Sequence, residues 1–338
     1  MTGKEKASAI FSRCGSQPAA WMGHVSDQAL PLLAKAWGVE PDRDALSRFV
    51  GDDCCWIMAE NAYHAANGLR LFDPSYGIER GRTLSAAGCF AEAETVDEVE
   101  RYPWPNPDDC DFEPVWQSIR RHPGQLVMTG MWSPFFHQIA DFFGMENYFI
   151  KMYESPEVVD AVTAHVVDFL VESSDRFWAG VDDPDAVMFF GNDFGTQRDL
   201  MLSPEMFRRF LLPSLRRLID VGKRHGRRVI LHSCGSIARI IPDLIDAGID
   251  GLHPLQARAA GMSAQELKKY RAHLAFMGGI DAQGLMVHGT PEQIRNEVFR
   301  VHECLGPNHV ISPSHEEILW NVPNENLLAL MQSARMIS

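Results

Sequence analysis

Arg228-Val229-Ile230-Leu231-His232-Ser233-Cys234-Gly235-Ser236 is the stretch from which the fold is read. A short apolar run ends abruptly in an imidazole and a thiol, two residues apart, and passes into a Gly-Ser turn that opens a helix. Side chains at i and i+2 of a strand share one face, so His232 and Cys234 are expected to point the same way at the strand's end. Neutral imidazole and thiolate together suit a borderline-soft ion such as zinc. Taken alone, the same pair also reads as a core histidine beside a small buried thiol.

Working outward, similar short apolar runs recur at Ala20-Trp21-Met22, Cys54-Cys55-Trp56-Ile57-Met58, Leu126-Val127-Met128, Ala186-Val187-Met188-Phe189-Phe190, Gly251-Leu252, Leu274-Ala275-Phe276-Met277 and Val310-Ile311. From Leu126 onward, amphipathic helical patterns separate them. Three helix starts repeat one formula, Ser155-Pro156-Glu157, Ser203-Pro204-Glu205 and Thr290-Pro291-Glu292, in which a hydroxyl caps, proline takes N1 and a carboxylate meets the dipole. After the central run, Ile237, Ile240, Ile241, Leu244 and Ile245 fall at helical spacing, with Gly248 as the expected stop. Eight runs alternating with helices predict a closed (β/α)8 TIM barrel, one domain over residues 1–338, with its catalytic groups at the carboxyl ends of the strands. Residues 60–124 are rich in turn formers and are expected to form a large insertion after the second strand, with a hairpin near Asp73-Pro74-Ser75-Tyr76-Gly77 and a proline-braced loop, placed as a lid.

Apolar residues make up 46% of the chain and charged residues 22%, which suits a packed core rather than disorder. The formal charge of −14 leaves no basic stripe for a phosphate backbone, so nucleic acid is not an expected partner. No apolar run reaches the roughly 18 residues of a membrane span. The opening Met1-Thr2-Gly3-Lys4-Glu5-Lys6-Ala7 lacks the apolar centre of a secretory signal, so the expected location is cytoplasmic. The seven cysteines include no CxxC pair, which fits free thiols in a reducing compartment.

The residues following the runs place His24, Trp132, Asn192-Asp193, His232 with Cys234, His253 with Gln256, Asp281 and Ser314-His315 along one edge of the barrel. His315 completes a three-ligand set with His232 and Cys234, leaving the open fourth position of catalytic zinc sites. A solvated histidine after a proline turn is the competing reading. Asp193, flanked by Gly191 and Gly195, is a candidate general acid/base, a partner for a ligating histidine, a fourth ligand, or a turn residue satisfying backbone N–H groups. Asp281, in Gly278-Gly279-Ile280-Asp281, invites the same catalytic and turn readings. His24, Trp132, Asn192 and Gln256 are the expected substrate-binding groups. Phosphate loops, a GxSxG elbow and an HExxH helix are all missing from the sequence.

Read in order, Asn192-Asp193-Phe194-Gly195-Thr196-Gln197, Ser203-Pro204-Glu205-Met206-Phe207, His232-Ser233-Cys234-Gly235-Ser236, His253-Pro254-Leu255-Gln256, Gly278-Gly279-Ile280-Asp281, Ser312-Pro313-Ser314-His315 and Val322-Pro323-Asn324-Glu325-Asn326 resemble the uroporphyrinogen decarboxylase superfamily. The resemblance implies a (β/α)8 barrel and offers two branches: metal-free porphyrinogen decarboxylases, and methyltransferases serving corrinoid proteins, which hold zinc through His-x-Cys and a later cysteine. Decarboxylases resemble one another in a Trp-x-Met-Arg-Gln-Ala-Gly-Arg stretch whose arginines grip carboxylates. The corresponding Trp21-Met22-Gly23-His24-Val25-Ser26-Asp27-Gln28 has neither arginine, so a polycarboxylate loses its clamp.

His232 and Cys234 keep the methyltransferase pattern, with His315 where the last cysteine stands. The resemblance therefore implies a zinc-dependent methyltransferase moving a methyl group between a small O-, N- or S-methyl compound and a corrinoid protein or thiol. Zn2+ would rest on His232, Cys234 and His315, and the corrinoid would be carried by a partner protein. Imidazole in place of thiolate makes the site less negative, which suits polarising an oxygen- or nitrogen-linked donor. The alternatives are a metal-independent decarboxylase or lyase of a small carboxylated substrate, with Asp193 and His315 moving protons, and a non-catalytic module docking a corrinoid protein. Barrels of this superfamily are often dimeric, so a homodimer is among the implied states.

Overall fold

All eight apolar runs become strands: β1 Ala19–Ala20, β2 Cys54–Met58, β3 Leu126–Gly130, β4 Val187–Gly191, β5 Val229–His232, β6 Gly251–His253, β7 Ala275–Ile280 and β8 His309–Pro313. The computed structural model describes residues 1–59, 61–68, 70–72 and 84–337. Every ladder in the sheet is parallel, running from β2 through β3, β4, β5, β6, β7 and β8 to β1. The chain is a (β/α)8 TIM barrel. Residues on alternate positions separate into two cores, as a parallel sheet buried on both faces requires. Leu126, Met128, Val187, Phe189, Ile230, Met277 and Val310 fill the barrel. Their neighbours Val127, Met188, Phe190, Leu231, Phe276 and Ile311 lie under the outer helices. Each fully buried side chain of this size contributes about 1.5–3 kcal/mol.

The amino-terminal helix Gly3–Phe11, closed by a Thr2–Glu5 capping box, buries Ala7, Ile10 and Phe11 among the barrel-filling residues. The Phe11 ring lies so near Gly251 that a Cβ there would meet it at 3.0 Å. This plug stops one end of the barrel and leaves the carboxyl ends of the strands for the site.

Between β1 and β2 no ladder forms, and the circle is joined instead around one peptide. Asp53 N–H donates to Ala20 O at 2.9 Å, Asp53 Oδ2 accepts from Ala20 N–H at 2.9 Å, and Asp52 Oδ1 accepts from Met22 N–H at 2.6 Å. Two carboxylates thus stand in for the carbonyls that a longer first strand would have met. Burial raises the Asp52 carboxyl to about 7 from 3.8, against the Met22 and Ser47 hydrogen bonds that favour its charged form.

Local details depart from the sequence reading in three places. Two helices, Leu30–Trp37 and Arg43–Val50, occupy the β1–β2 connection; the second is capped by Asp42 and stopped by Gly51 at φ 70°. Ser203 and Thr290 cap as expected. Ser155 does not, because its own N–H ends the preceding helix Met145–Glu154 on Lys151 O and its hydroxyl accepts no cap bond. Between β2 and β3, Phe90, Tyr102 and Trp104 pack on Phe142, and Trp104 stacks on His165 at 4.6 Å, so this described part clads the outer helices. The hairpin expected near Asp73 to Gly77 lies outside the described residues.

Since the folded Asp52 carboxyl titrates near 7 and the unfolded one near 3.8, the folded state holds the extra proton between these values, and this group's contribution to stability falls as pH rises through them. Asp52→Asn keeps an acceptor for Met22 N–H and removes the titration. Its urea-unfolding free energy relative to the wild-type chain should therefore rise by a few kcal/mol from pH 4 to 7 and level off above. A pH-independent difference would show that Asp52 is not the titrating group.

Candidate metal centre at the barrel mouth

The register sets His232, the last residue of β5, opposite Gly191 of β4 and His253 of β6. Beyond the strands, the β4 and β5 loops interlock. A Cβ on Gly235 would lie 2.3 Å from Gly195 O, and one on Gly195 would lie 2.7 Å from Ser236 N, so neither position accepts a larger residue without movement. Gly235 also has φ +82°, a region costly for residues bearing a Cβ. Ser236 N–H donates to Thr196 O and Phe194 N–H to Ser233 Oγ, binding the two loops together.

That interlock delivers Asp193 to Cys234. Asp193 Oδ1 accepts from Cys234 N–H at 2.8 Å and lies 3.3 Å from His232 Nε2, which is itself 3.5 Å from Cys234 Sγ. After β8 the chain makes a short parallel ribbon, Glu317–Ile318 beside His24–Val25, with His24 N–H donating to Glu316 O at 2.7 Å. The ribbon brings in His315 and Glu316. Cys234 Sγ joins donor atoms of Asp193 and His232 in one group and of His315 and Glu316 in another, each group within 4.8 Å. Glu316 Oε2 stands 3.9 Å from His232 Nε2 and 3.7 Å from His315 Nε2.

The electrostatics follow from this crowding. Burial, Asp193 and Glu316 push the Cys234 thiol well above its usual range. Burial would raise Asp193 too, but the hydrogen bond and charge of His232 and the Cys234 amide outweigh it and hold the carboxyl at about 2. At neutral pH Asp193 is therefore an acceptor rather than a proton donor. Burial and the neighbouring His232 and His315 hold His253 neutral. Its Nδ1 lies 2.9 Å from His232 Nδ1, so one of the two carries the shared proton.

The other expected residues are placed as follows. Trp132 covers His232 with ring centres 5.1 Å apart and occupies the space a Cβ on Gly191 would need. His24 lines a cavity of about 350 Å3 with Trp56, Met58, Glu316 and Glu317. Gln256 Oε1 accepts from Gln197 Nε2 and Gly235 N–H, bracing the β5 turn. Asn192 joins Phe136 N–H to Ser133 O and pins the start of the helix after β3. Asp281 stands apart from the donor groups: its oxygens accept from Arg258 and from the amides of Gln283, Gly284 and Leu285. Sequence reasoning missed Glu316, Trp56 and the His253 contact. The His315-Glu316-Glu317 triplet, and the i, i+2 spacing of Cys54, Trp56 and Met58, were the available signals.

The sequence profile of the family described as Uroporphyrinogen decarboxylase (URO-D) matches residues 90–337. The Methylated-thiol--coenzyme M methyltransferase of Methanosarcina mazei is 26% identical over 216 residues, 64% of this chain and 55% of that protein, so the match spans little more than half of the relative's length. A solved structure, a methyltransferase from Methanosarcina mazei, superposes with a TM-score of 0.70 over 99% of both chains at 16% identity, a likeness of fold.

Gly235→Ala forces a Cβ against the Gly195 carbonyl at positive φ. It should cost roughly 2 kcal/mol or more in chemical denaturation. An unchanged denaturation midpoint would mean that the two loops are not held by this contact.

Proposed function

From the premise that the chain belongs to the uroporphyrinogen decarboxylase family, we propose that it is a methyltransferase of the corrinoid-linked kind, with a zinc-type ion held by His232, Cys234 and His315. The observation that carries the reading is that Cys234 Sγ belongs to two donor groups at one end of the barrel, one with Asp193 and His232 and one with His315 and Glu316, each within 4.8 Å. The donor set fits such an ion: among the described residues, Glu316 Oε2 is buried without a hydrogen-bond partner, and no lysine or arginine lies within ion-pair distance of Asp193 or Glu316. One thiolate and two imidazoles are zinc ligands by preference, and Glu316 or Asp193 would supply a fourth ligand.

When bound, the ion supplies the positive charge that keeps a coordinated sulfur as thiolate or polarises the heteroatom carrying the methyl group. The chain's own groups do the rest. For His232 to offer Nε2, its Nδ1 must carry the proton, and His253 Nδ1 at 2.9 Å accepts it, fixing tautomer and ring orientation. Asp193 holds the Cys234 backbone through its amide. Trp132 shields the inner side of His232. The methyl acceptor is cob(I)alamin on a partner protein, or a thiol, and the donor a small methylated compound. The missing arginines of the Trp21–Gln28 segment speak against a polycarboxylate substrate.

Metal analysis of zinc-replete full-length protein tests this directly, with about one zinc per chain expected. Removing an outer-shell partner of a metal ligand already costs roughly 10–100-fold in affinity. Cys234→Ser and His315→Ala should therefore each weaken zinc binding by at least that much and abolish methyl transfer to cob(I)alamin, followed by its absorbance. Metal-free protein that transfers methyl groups at the full rate would overturn the proposal.

A further inference from the structure

Beside the donor cluster, and sharing Glu316 with it, lies the cavity of about 350 Å3 lined by His24, Trp56, Met58, Glu316 and Glu317. Its aromatic groups stand steeply to one another: His24 and Trp56 meet at 89° with centres 5.0 Å apart, and Trp132 backs Trp56 at 60° and 5.5 Å. The rings therefore enclose space instead of stacking face to face. Glu316 and Glu317 complete the lining, and among the described residues neither carboxylate meets a lysine or arginine. Burial and Arg43 keep His24 neutral, while the Arg43 guanidinium is engaged by Val25 O and Asp27.

We propose that this cavity is the subsite for a positively charged methyl-onium group, a quaternary ammonium or a sulfonium, and thus that the methyl donor is cationic. The inference rests on the methyl-transfer reading and names its substrate class. Anions are repelled by Glu316 and Glu317, and a neutral methyl compound would leave Glu317, which takes no part in the donor cluster, without a counter-charge. Hard metal cations want oxygen ligands all round, which Trp56 and Met58 do not provide. An onium head has no hydrogen to donate; it is held by aromatic faces and by diffuse negative charge, as this lining supplies. At about 350 Å3 the space lies at the small end of ligand pockets, suiting a compact head group. The chemistry balances without a proton: the acceptor's electron pair forms the new bond to the methyl carbon, while the carbon–nitrogen or carbon–sulfur pair stays on the leaving atom, which departs as a neutral amine or sulfide.

Calorimetry on the zinc-loaded full-length protein distinguishes the possibilities, with choline, trimethylsulfonium and the neutral carbon isostere of choline, 3,3-dimethylbutanol, as probes. At least one onium should bind about tenfold or more tightly than the isostere, and the preferred one identifies the heteroatom. Glu317→Gln should erase most of that preference without changing isostere binding. Trp56→Leu should lower onium affinity by about tenfold, and Trp56→Phe, which keeps a π face, should restore much of it. Equal binding of cation and isostere, or no onium binding at all, overturns the subsite. Zinc content and methyl transfer from neutral donors, measured on the same protein, separate the two readings. Zinc retained without onium preference removes the cationic donor alone, whereas onium preference in a protein that neither holds zinc nor transfers methyl groups leaves the subsite standing and removes the methyltransferase.

Discussion

Two glycine backbones in contact set the geometry of the barrel mouth. Because Gly195 and Gly235 carry no Cβ, the loops leaving β4 and β5 approach until Gly195 O faces Gly235 and Thr196 O accepts from Ser236 N–H. This closeness puts Asp193 within hydrogen-bond reach of the Cys234 amide. The turn is braced from the β6 side by Gln256, and the β6 loop in turn relies on a glycine, since a Cβ on Gly278 would overlap Pro254 O. Backbone packing, rather than any one functional side chain, keeps thiol, imidazole and carboxylate together.

The same closeness makes the mouth electrostatically demanding. Asp193, Glu316 and the Cys234 thiol crowd around His232 with no lysine or arginine among the described residues to offset them. Burial strengthens such interactions, because little water remains to screen them. On the proposed reading a cation would resolve the conflict in two places: a metal ion at the nitrogen and sulfur donors, and an onium head in the adjoining aromatic and acidic cavity. The net acidity of the chain leans in the same direction, attracting cations at a distance.

The barrel was legible in the sequence because each strand is a short apolar run buried on both faces, a signal that survives without tertiary information. The helices at Leu30–Trp37 and Arg43–Val50 went unread although Asp42 and Gly51 mark the second one, since between the first two runs the polar segments drew no helical pattern. Asp52 and Asp53 precede their strand, where sequence gives them no role; only the closed circle shows them bridging its seam. His232, Cys234 and His315 were identifiable by residue type and position at strand ends; the structure sets each histidine in a separate donor group with Cys234, His232 beside Asp193 and His315 beside Glu316. Glu316 was overlooked because the residue after a ligand normally points away. Here the ribbon with His24–Val25 turns the chain so that both neighbours face Cys234. Asn192 and Gln256 have the residue types of substrate binders, yet the Asn192 amide holds loop backbone and Gln256 joins the Gln197 side chain to the Gly235 N–H, a distinction sequence does not encode.

No helix among the described residues is long and apolar enough to cross a membrane, and the site opens from the carboxyl ends of the strands as the barrel architecture requires. The central claim is that Cys234 and the two histidines bind one ion together. X-ray absorption at the zinc edge of zinc-loaded protein tests it most directly. One sulfur at about 2.3 Å with imidazole nitrogens at about 2.0–2.1 Å is expected, the sulfur shell vanishing in Cys234→Ser. A zinc environment of oxygen and nitrogen alone in the unaltered protein would contradict the account.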